Sequence, residues 1–246
     1  MPDNILELLK SHVSIRKYKK DPIPDEKLEE MLHAAQHAAT SNFVQAYSVI
    51  KVTDPEKINK LAVLSNNEPQ ILSAPVVLLF CADMKRLEAA GKKAGVNINV
   101  EHLETFIVTT VDTALFAQNF VIAAEAHGYG ICYIGGVRNK PEEISELFGL
   151  PDKVFPLFGM TVGVPDESPQ VKPRIPVQGI LHENSYDEEK YDAILEEYSK
   201  VTEEYYRKRL TNKKDTNWPK SMGEFLKEPR RPHMREFITS KGFLLK

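Results

Sequence analysis

Apolar positions along the chain repeat with two periods, and the places where the period changes mark its elements. Near the start, Ile5, Leu8 and Leu9 share a helical face, with Asp3 placed to cap a helix running to Ser11. Pro22 and Pro24 mark a turn, after which Leu28, Met31, Leu32 and Ala35 recur at helical spacing and predict a helix over residues 26–39. Residues 46–52 have the β-branched character of a strand, and residues 55–64 read as a short helix. Residues 75–82 (PVVLLFCA) are apolar on both faces, which predicts a central strand rather than an edge. The longest predicted helix covers residues 104–127 and is stopped by Gly128 as a left-handed cap. It is apolar nearly all round, the mark of a core helix or an interface helix. Residues 129–134 form a strand broken by Gly135-Gly136. A proline-led helix over 141–148 ends at Gly149, and a further strand covers 157–164. Strands and helices interleave, so the class is α/β or α+β, with helices covering a central sheet.

Composition narrows the function classes. The chain has 246 residues, 42% hydrophobic and 27% charged, ordinary usage for a globular protein with a sizeable core. A net charge of −3 provides no global field for nucleic acid or anionic lipid. The uncharged centre of the long helix, residues 113–124, is too short to span a bilayer. The N-terminus has no signal-peptide pattern, and a cytoplasmic location is expected. Cys81 and Cys132 lie in strand-like runs without C-x-x-C spacing. After about residue 186 the charge pattern changes. Residues 187–204 hold eight acids and two bases, whereas 205–246 hold four acids and twelve bases, a local net of +8. The plain reading is a solvated helix followed by a charged arm; the functional one is a basic arm that closes over an anionic ligand.

Four constellations carry candidate chemistry. His12, Ser14 and Arg16 alternate, so on extended backbone an imidazole, a hydroxyl and a guanidinium converge on one anion. Lys172-Pro173-Arg174 again places two cations on one side of an extended segment. Thr40-Ser41-Asn42, with Gln45 close behind, is a polar loop. Gly135-Gly136 lets a flat ligand approach the backbone, and a tight turn explains it equally well. No dinucleotide-binding glycine motif, P-loop, nucleophile elbow or metal-ligand spacing is present, which disfavours a hydrolase or a metalloenzyme. The pattern suits a planar cofactor bearing a phosphate without selecting one.

At these residues the sequence resembles the nitroreductase superfamily, in its NADPH-flavin oxidoreductase and oxygen-insensitive nitroreductase branch, of the bacterial FMN reductase type. The matching stretches are HVSIRKY, ATSNFVQAYSVI, the run from GYGICYIGGVRNK to FGMTVGVP, KPRIP, HENSY and YYRKR, in order along the whole chain. The resemblance implies an α+β fold, with a central, mostly antiparallel sheet flanked by helices. It divides the chain into a flavin-binding core, 1–185, and a C-terminal arm, 186–246, packed on the partner subunit. It further implies a homodimer with FMN at the subunit boundary and the long helix in the interface. His12, Ser14 and Arg16 match its phosphate-side segment, Lys172 and Arg174 its second phosphate clamp, and Gly135 and Gly136 the turn beside the ring. Thr40, Ser41 and Asn42 fall where the family carries a serine run, and Asn42 is a departure. On the loop after the third helix, the family's glutamine and aromatic read Glu68 and Gln70 here. Arg209 and Lys214 match two arginines for the 2′-phosphate of NADPH, with Arg230 and Arg231 further along, and NADH is a possible second donor. The implied activity passes hydride through bound FMN to free flavin, nitroaromatic or quinone acceptors. The alternatives are a flavin-binding module without turnover and a nucleic-acid-binding protein using the basic arm.

Overall fold

In the computed structural model, which describes residues 4–210 and 212–243, the architecture grows from one strand. β2 (Val76–Asp83) is buried at every position, as its two-faced apolar sequence requires. It lies between β1 (Tyr47–Val52) and β4 (Val154–Gly163), and β4 pairs in turn with β3 (Gly130–Ile134). The order is β1-β2-β4-β3 and every pairing is antiparallel, so the fold is the expected α+β sheet flanked by helices.

Side chains alternate along a strand, and β2 therefore feeds two cores. Val76, Leu78 and Phe80 pack with Leu28, Met31 and Ala35 of α2 (Asp25–Ala35) and with Phe116, Phe120 and Ala124 of α6 (Leu103–Ala126). Val77, Leu79 and Cys81 meet Leu61 of α3 (Pro55–Ser65), Ile71 of α4 (Glu68–Ser73) and Ile144 of α7 (Pro141–Phe148). A third cluster joins Ala82, Phe155 and Leu157 to Phe237, Ile238 and Phe243, in and just after α10 (Met234–Ser240).

Several expectations need correction. The first helix, α1 (Ile5–Lys10), is capped by Asn4, whose Oδ1 accepts the N–H groups of Leu6 and Glu7 at 2.7 and 3.1 Å. Asp3, the expected cap, lies outside the described residues. Of the three residues assigned to its inner face only Leu8 is buried, because a six-residue helix presents little more than one contact row. α2 stops at Ala35, not at residue 39, with Gln36 closing its last turn. The loop expected around Glu68 and Gln70 is the short helix α4. α5 (Lys85–Lys93) was not anticipated, since it is mostly charged and only Gly91 is buried. β4 begins at Val154, three residues before the expected start.

α6 also corrects the membrane argument. The whole 24-residue helix is long and apolar enough, by length and composition alone, to cross a membrane. Counting only its uncharged centre missed this, because the Asp112 carboxylate is absorbed within the protein. One face of α6 lies on the sheet, while Leu103, Ile107, Val111 and Leu115 form an exposed row at four-residue spacing.

The chain divides into two compact units, one reaching Pro169 and regained from Arg231 onward, the other Gln170–Arg230. The boundary expected after residue 185 thus falls inside the second unit. That unit is built on α8 (Tyr191–Lys208) and α9 (Trp218–Leu226). Trp218 packs against Tyr198 with ring centroids 5.8 Å apart, and its backbone N–H donates to Thr202 Oγ1 at 3.0 Å.

Candidate functional site

The segment carrying His12, Ser14 and Arg16 runs beside β3. Ile15 N–H donates to the Ile131 carbonyl at 2.8 Å, and Ser14 forms a parallel bridge to Ile131. Ile15 is buried and Arg16 exposed, whereas His12, Val13 and Ser14 are all half-buried. The Arg16 backbone N–H donates to Glu167 Oε1 at 2.5 Å, and Arg16 Nη1 donates to the Ser14 carbonyl at 3.3 Å. These contacts hold the backbone while the guanidinium reaches solvent. His12 has a partner the sequence did not reveal: its Nδ1 lies 2.5 Å from Glu125 Oε1 on α6. Only Nε2 can therefore face a ligand.

β3 leads into Gly135–Arg138, a single 3-10 turn. Here the two glycines have different reasons. A Cβ on Gly136 would stand 2.1 Å from the Ser65 carbonyl oxygen and 2.3 Å from Asn67 Nδ2, so this glycine serves close backbone packing against the end of α3. A Cβ on Gly135 would meet only Arg138, with Nη2 at 3.4 Å, so packing does not demand this glycine as it does Gly136.

Just past Asn67 comes α4, bearing Glu68 and Gln70. Ser73 Oγ donates to the Arg16 carbonyl at 3.4 Å, which ties α4 to the cationic segment. Gln70 Oε1 is buried and accepts no hydrogen bond among the described residues. A buried acceptor left unmatched costs about 1–3 kcal/mol, so it marks a place where a donor belongs. α4, which carries Glu68 and Gln70, thus follows the Asn67 contact with the glycine turn and ends at the Ser73 bond to the Arg16 segment, on the β3 side of the sheet.

Thr40, Ser41 and Asn42 lie elsewhere, before β1 at the opposite edge. Ser41–Phe43 is one tight turn, and Asn42, Phe43 and Gln45 have φ of 45°, 61° and 56°. Three left-handed residues without glycine among four are strained, and something must hold them. Asp112 of α6, fully buried, accepts the N–H groups of Ser41 at 3.0 Å and Ala46 at 3.1 Å. Arg86 Nη1 donates to the Gln45 carbonyl at 3.3 Å. Asp112 is the residue that sequence reasoning missed; its signal was a lone carboxylate inside an apolar helix.

Lys172 and Arg174 belong to the second unit and are exposed. Their segment is pinned to α8 by Tyr198, whose hydroxyl donates to the Pro173 carbonyl at 2.9 Å, and Arg174 Nη1 donates to the Lys172 carbonyl at 2.6 Å. Arg209 caps the C-terminal end of α8, its guanidinium 5.7 and 5.9 Å from the ring centroids of Tyr205 and Tyr206. The Lys214 backbone N–H donates to the Tyr206 carbonyl at 3.4 Å, so its backbone lies beside the residue that the Arg209 guanidinium approaches.

No group of three or more His, Cys, Asp or Glu side chains among the described residues has the arrangement to hold a metal ion. Cys81 and Cys132 are free and buried, and burial pushes the Cys81 thiol up to about 12, which keeps it protonated and unreactive.

With this geometry in place, the chain can be set beside known proteins. Residues 9–164 match the nitroreductase family and residues 172–246 match the C-terminal domain of that family. The Cr(VI) reductase of Pseudomonas sp. strain G-1 is 55% identical over 97% of this chain and 98% of its own length. The FMN reductase (NADPH) of Bacillus subtilis is 38% identical over 98% of each chain. Among solved structures, the NfrA1 nitroreductase of B. subtilis superposes with a TM-score of 0.93 at 38% identity, covering 98% of this chain and 99% of that one. The NADPH:FMN oxidoreductase of Vibrio harveyi complexed with NAD+ gives 0.90 at 34% identity, covering 99% and 100%.

Proposed function

Because the chain belongs to the nitroreductase family, we propose that it is an FMN-dependent NAD(P)H oxidoreductase whose preferred donor is NADPH. The observation that carries this reading is the buried, unmatched Gln70 Oε1 on α4, the helix that Ser73 ties to the Arg16 carbonyl. A ring N–H of a planar ligand is the kind of donor this acceptor lacks, and an exposed guanidinium anchored through its backbone suits a phosphate.

The residues present therefore fit FMN. Arg16, with Ser14 and the Nε2 side of His12, would hold its phosphate; for Lys172 and Arg174 the phosphate role rests on the family resemblance alone. Glu68, Gln70, Gly135 and Gly136 border the ring position. The chemistry that FMN would supply there is two-electron transfer between a reduced nicotinamide and an acceptor. The protein's own work would be position and electrostatics: Arg16 would hold the anionic end, and Gln70 would accept from the ring edge. Arg209 and Lys214 at Tyr206 would receive the 2′-phosphate of NADPH.

Thr40, Ser41 and Asn42 lie at the far edge of the sheet from Arg16, so they would complete the site of a second copy. The exposed row Leu103, Ile107, Val111 and Leu115 on α6 supports a homodimer, since four aligned aliphatic side chains call for cover. The acceptors proposed are free flavin, nitroaromatics and quinones, and, by likeness to the Cr(VI) reductase, an oxidised chromium oxyanion. The cell compartment proposed is the cytoplasm.

The absorption spectrum of the purified protein, with the mass of the released cofactor, tests the reading. FMN that NADPH bleaches without oxygen is the expected result. Yellow protein that NADPH fails to bleach would instead support a flavin-binding module, a reading that the Glu68 and Gln70 departures favour. Protein without flavin, and unable to take it up, sinks both.

A further inference from the structure

Two imidazole–carboxylate pairs stand at the C-terminal end of α6, and they differ. His127, just past the helix, has Nε2 3.5 Å from Oε1 of Glu30 on α2, and the Glu30 side chain is 55% exposed. His12, from the segment after α1, has Nδ1 2.5 Å from Glu125 Oε1, and the Glu125 side chain is only 13% exposed.

The charge of Glu125 is opposed from two sides. It lies in the last turn of α6, where the helix already presents its partially negative carbonyl end. Withdrawal from water adds to that cost. Its charge also reaches β3, because the Tyr133 hydroxyl is pushed up first by burial and then by Glu125. Helix end and phenol both work against the carboxylate. The group that favours it is the imidazole of His12, 113 positions away along the chain.

A carboxylate on one ring nitrogen decides what the other can do. Nδ1 carries the proton that Glu125 accepts, and Nε2 is left on the far side of the ring, either as a bare lone pair or as an N–H. A phosphate oxygen only accepts, so the N–H form alone can serve it. In that form the ring holds both protons and a positive charge, and Glu125 lies beside it as the countercharge.

We propose that Glu125 is a positioning residue for the anion end of the site: it orients His12 with Nε2 outward and balances the charge that the ring carries when a phosphate binds. The inference rests on the flavin reading for the identity of that phosphate, not for the pairing of the two side chains. It brings α6, which carries none of the proposed phosphate ligands, into phosphate recognition.

Glu125→Gln keeps an oxygen acceptor of the same reach for Nδ1 and removes the charge. FMN affinity, read from flavin fluorescence, should fall about tenfold, the scale of weakening a hydrogen bond to a charged group. Riboflavin, with the same ring and no phosphate, should bind the variant as it binds wild type. Glu125→Asp should recover part of the FMN loss, and Glu30→Gln should cause none. His12→Gln should cost a similar factor, and adding Glu125→Gln to it should cost nothing more. In 15N NMR spectra of the wild-type protein, both ring nitrogens of His12 should carry protons with FMN bound, or with inorganic phosphate bound to flavin-free protein. Equal losses for FMN and riboflavin would make Glu125 a packing residue and overturn the proposal. So would losses that add in the double variant, or a His12 ring that holds a single proton beside phosphate. Wild-type protein that takes up no FMN would remove the flavin reading, and the imidazole spectrum with inorganic phosphate would still decide this one.

Discussion

Asp112 sits fully buried in the middle of an apolar helix, yet both its oxygens are used. Each accepts a backbone N–H, from Ser41 and from Ala46, and so it holds a turn whose φ angles would otherwise relax. Asparagine keeps the shape but turns one acceptor into a donor facing an N–H. We expect Asp112→Asn to lower stability by about 2–3 kcal/mol, the worth of a charge-assisted bond and the clash that replaces it, measured by urea unfolding. A loss under 0.5 kcal/mol would mean that the turn holds itself. Arg16 is the contrasting residue, exposed and held through its backbone, so Arg16→Ala should leave stability nearly intact. FMN affinity should instead fall roughly 10- to 100-fold, and the variant should purify substantially colourless. Full flavin occupancy at micromolar protein would remove Arg16 from the phosphate site. The two residues also differ in how far the sequence discloses them. The run of Ile15 against β3 followed by an exposed Arg16 is local and was open to a sequence reading. The partners of Asp112 and of His12 lie 66 or more positions away along the chain, and no local pattern encodes them. The sequence likewise left Gly136 undecided between a turn and a ligand approach, because its reason is the Ser65 carbonyl of another element.

Elements with a buried stripe were legible, and elements without one were not. β2, α3, α6 and α7 follow from apolar spacing and from proline and glycine at their ends. α5 exposes most of its charged surface, and α4 is six residues begun by Glu68 and Pro69, too short for a period to show. The C-terminal end of α8 is the element on which the proposed donor preference rests. It presents Arg209 over Tyr205 and Tyr206, with Lys214 bonded back to Tyr206. A 2′-phosphate meeting these two cations should favour NADPH over NADH by about 1–3 kcal/mol, less if solvent screens both. Lysine gives no fork, so preference is expected rather than exclusion. Comparing kcat/KM for both donors at low and high salt tests this. An Arg209→Ala variant that weakens NADPH and NADH alike would take the phosphate away from α8.

At the scale of the molecule, one chain carries the proposed site in two halves, at opposite edges of one sheet. Arg16, Gln70 and Gly135 stand on the β3 side; Thr40, Ser41 and Asn42 stand before β1. The exposed row on α6 is the surface through which two copies would bring unlike halves together. Leu115→Glu places a charge in that row, and the variant should sediment as a monomer and lose FMN together with its partner. A dimer that survives this change with flavin bound would show that the row is not the interface. The split halves also change what counts as a damaged protein. A chain altered at Arg16 and a chain altered in the 40–42 turn each lack a different half. When they pair, one boundary collects both defects and the other collects none. Mixing two inactive preparations and letting subunits exchange should therefore restore activity, up to about half that of wild type in each mixed dimer. Two defects would then repair each other by being placed on separate chains, and combining both in a single chain would abolish the rescue in exchange with either parent.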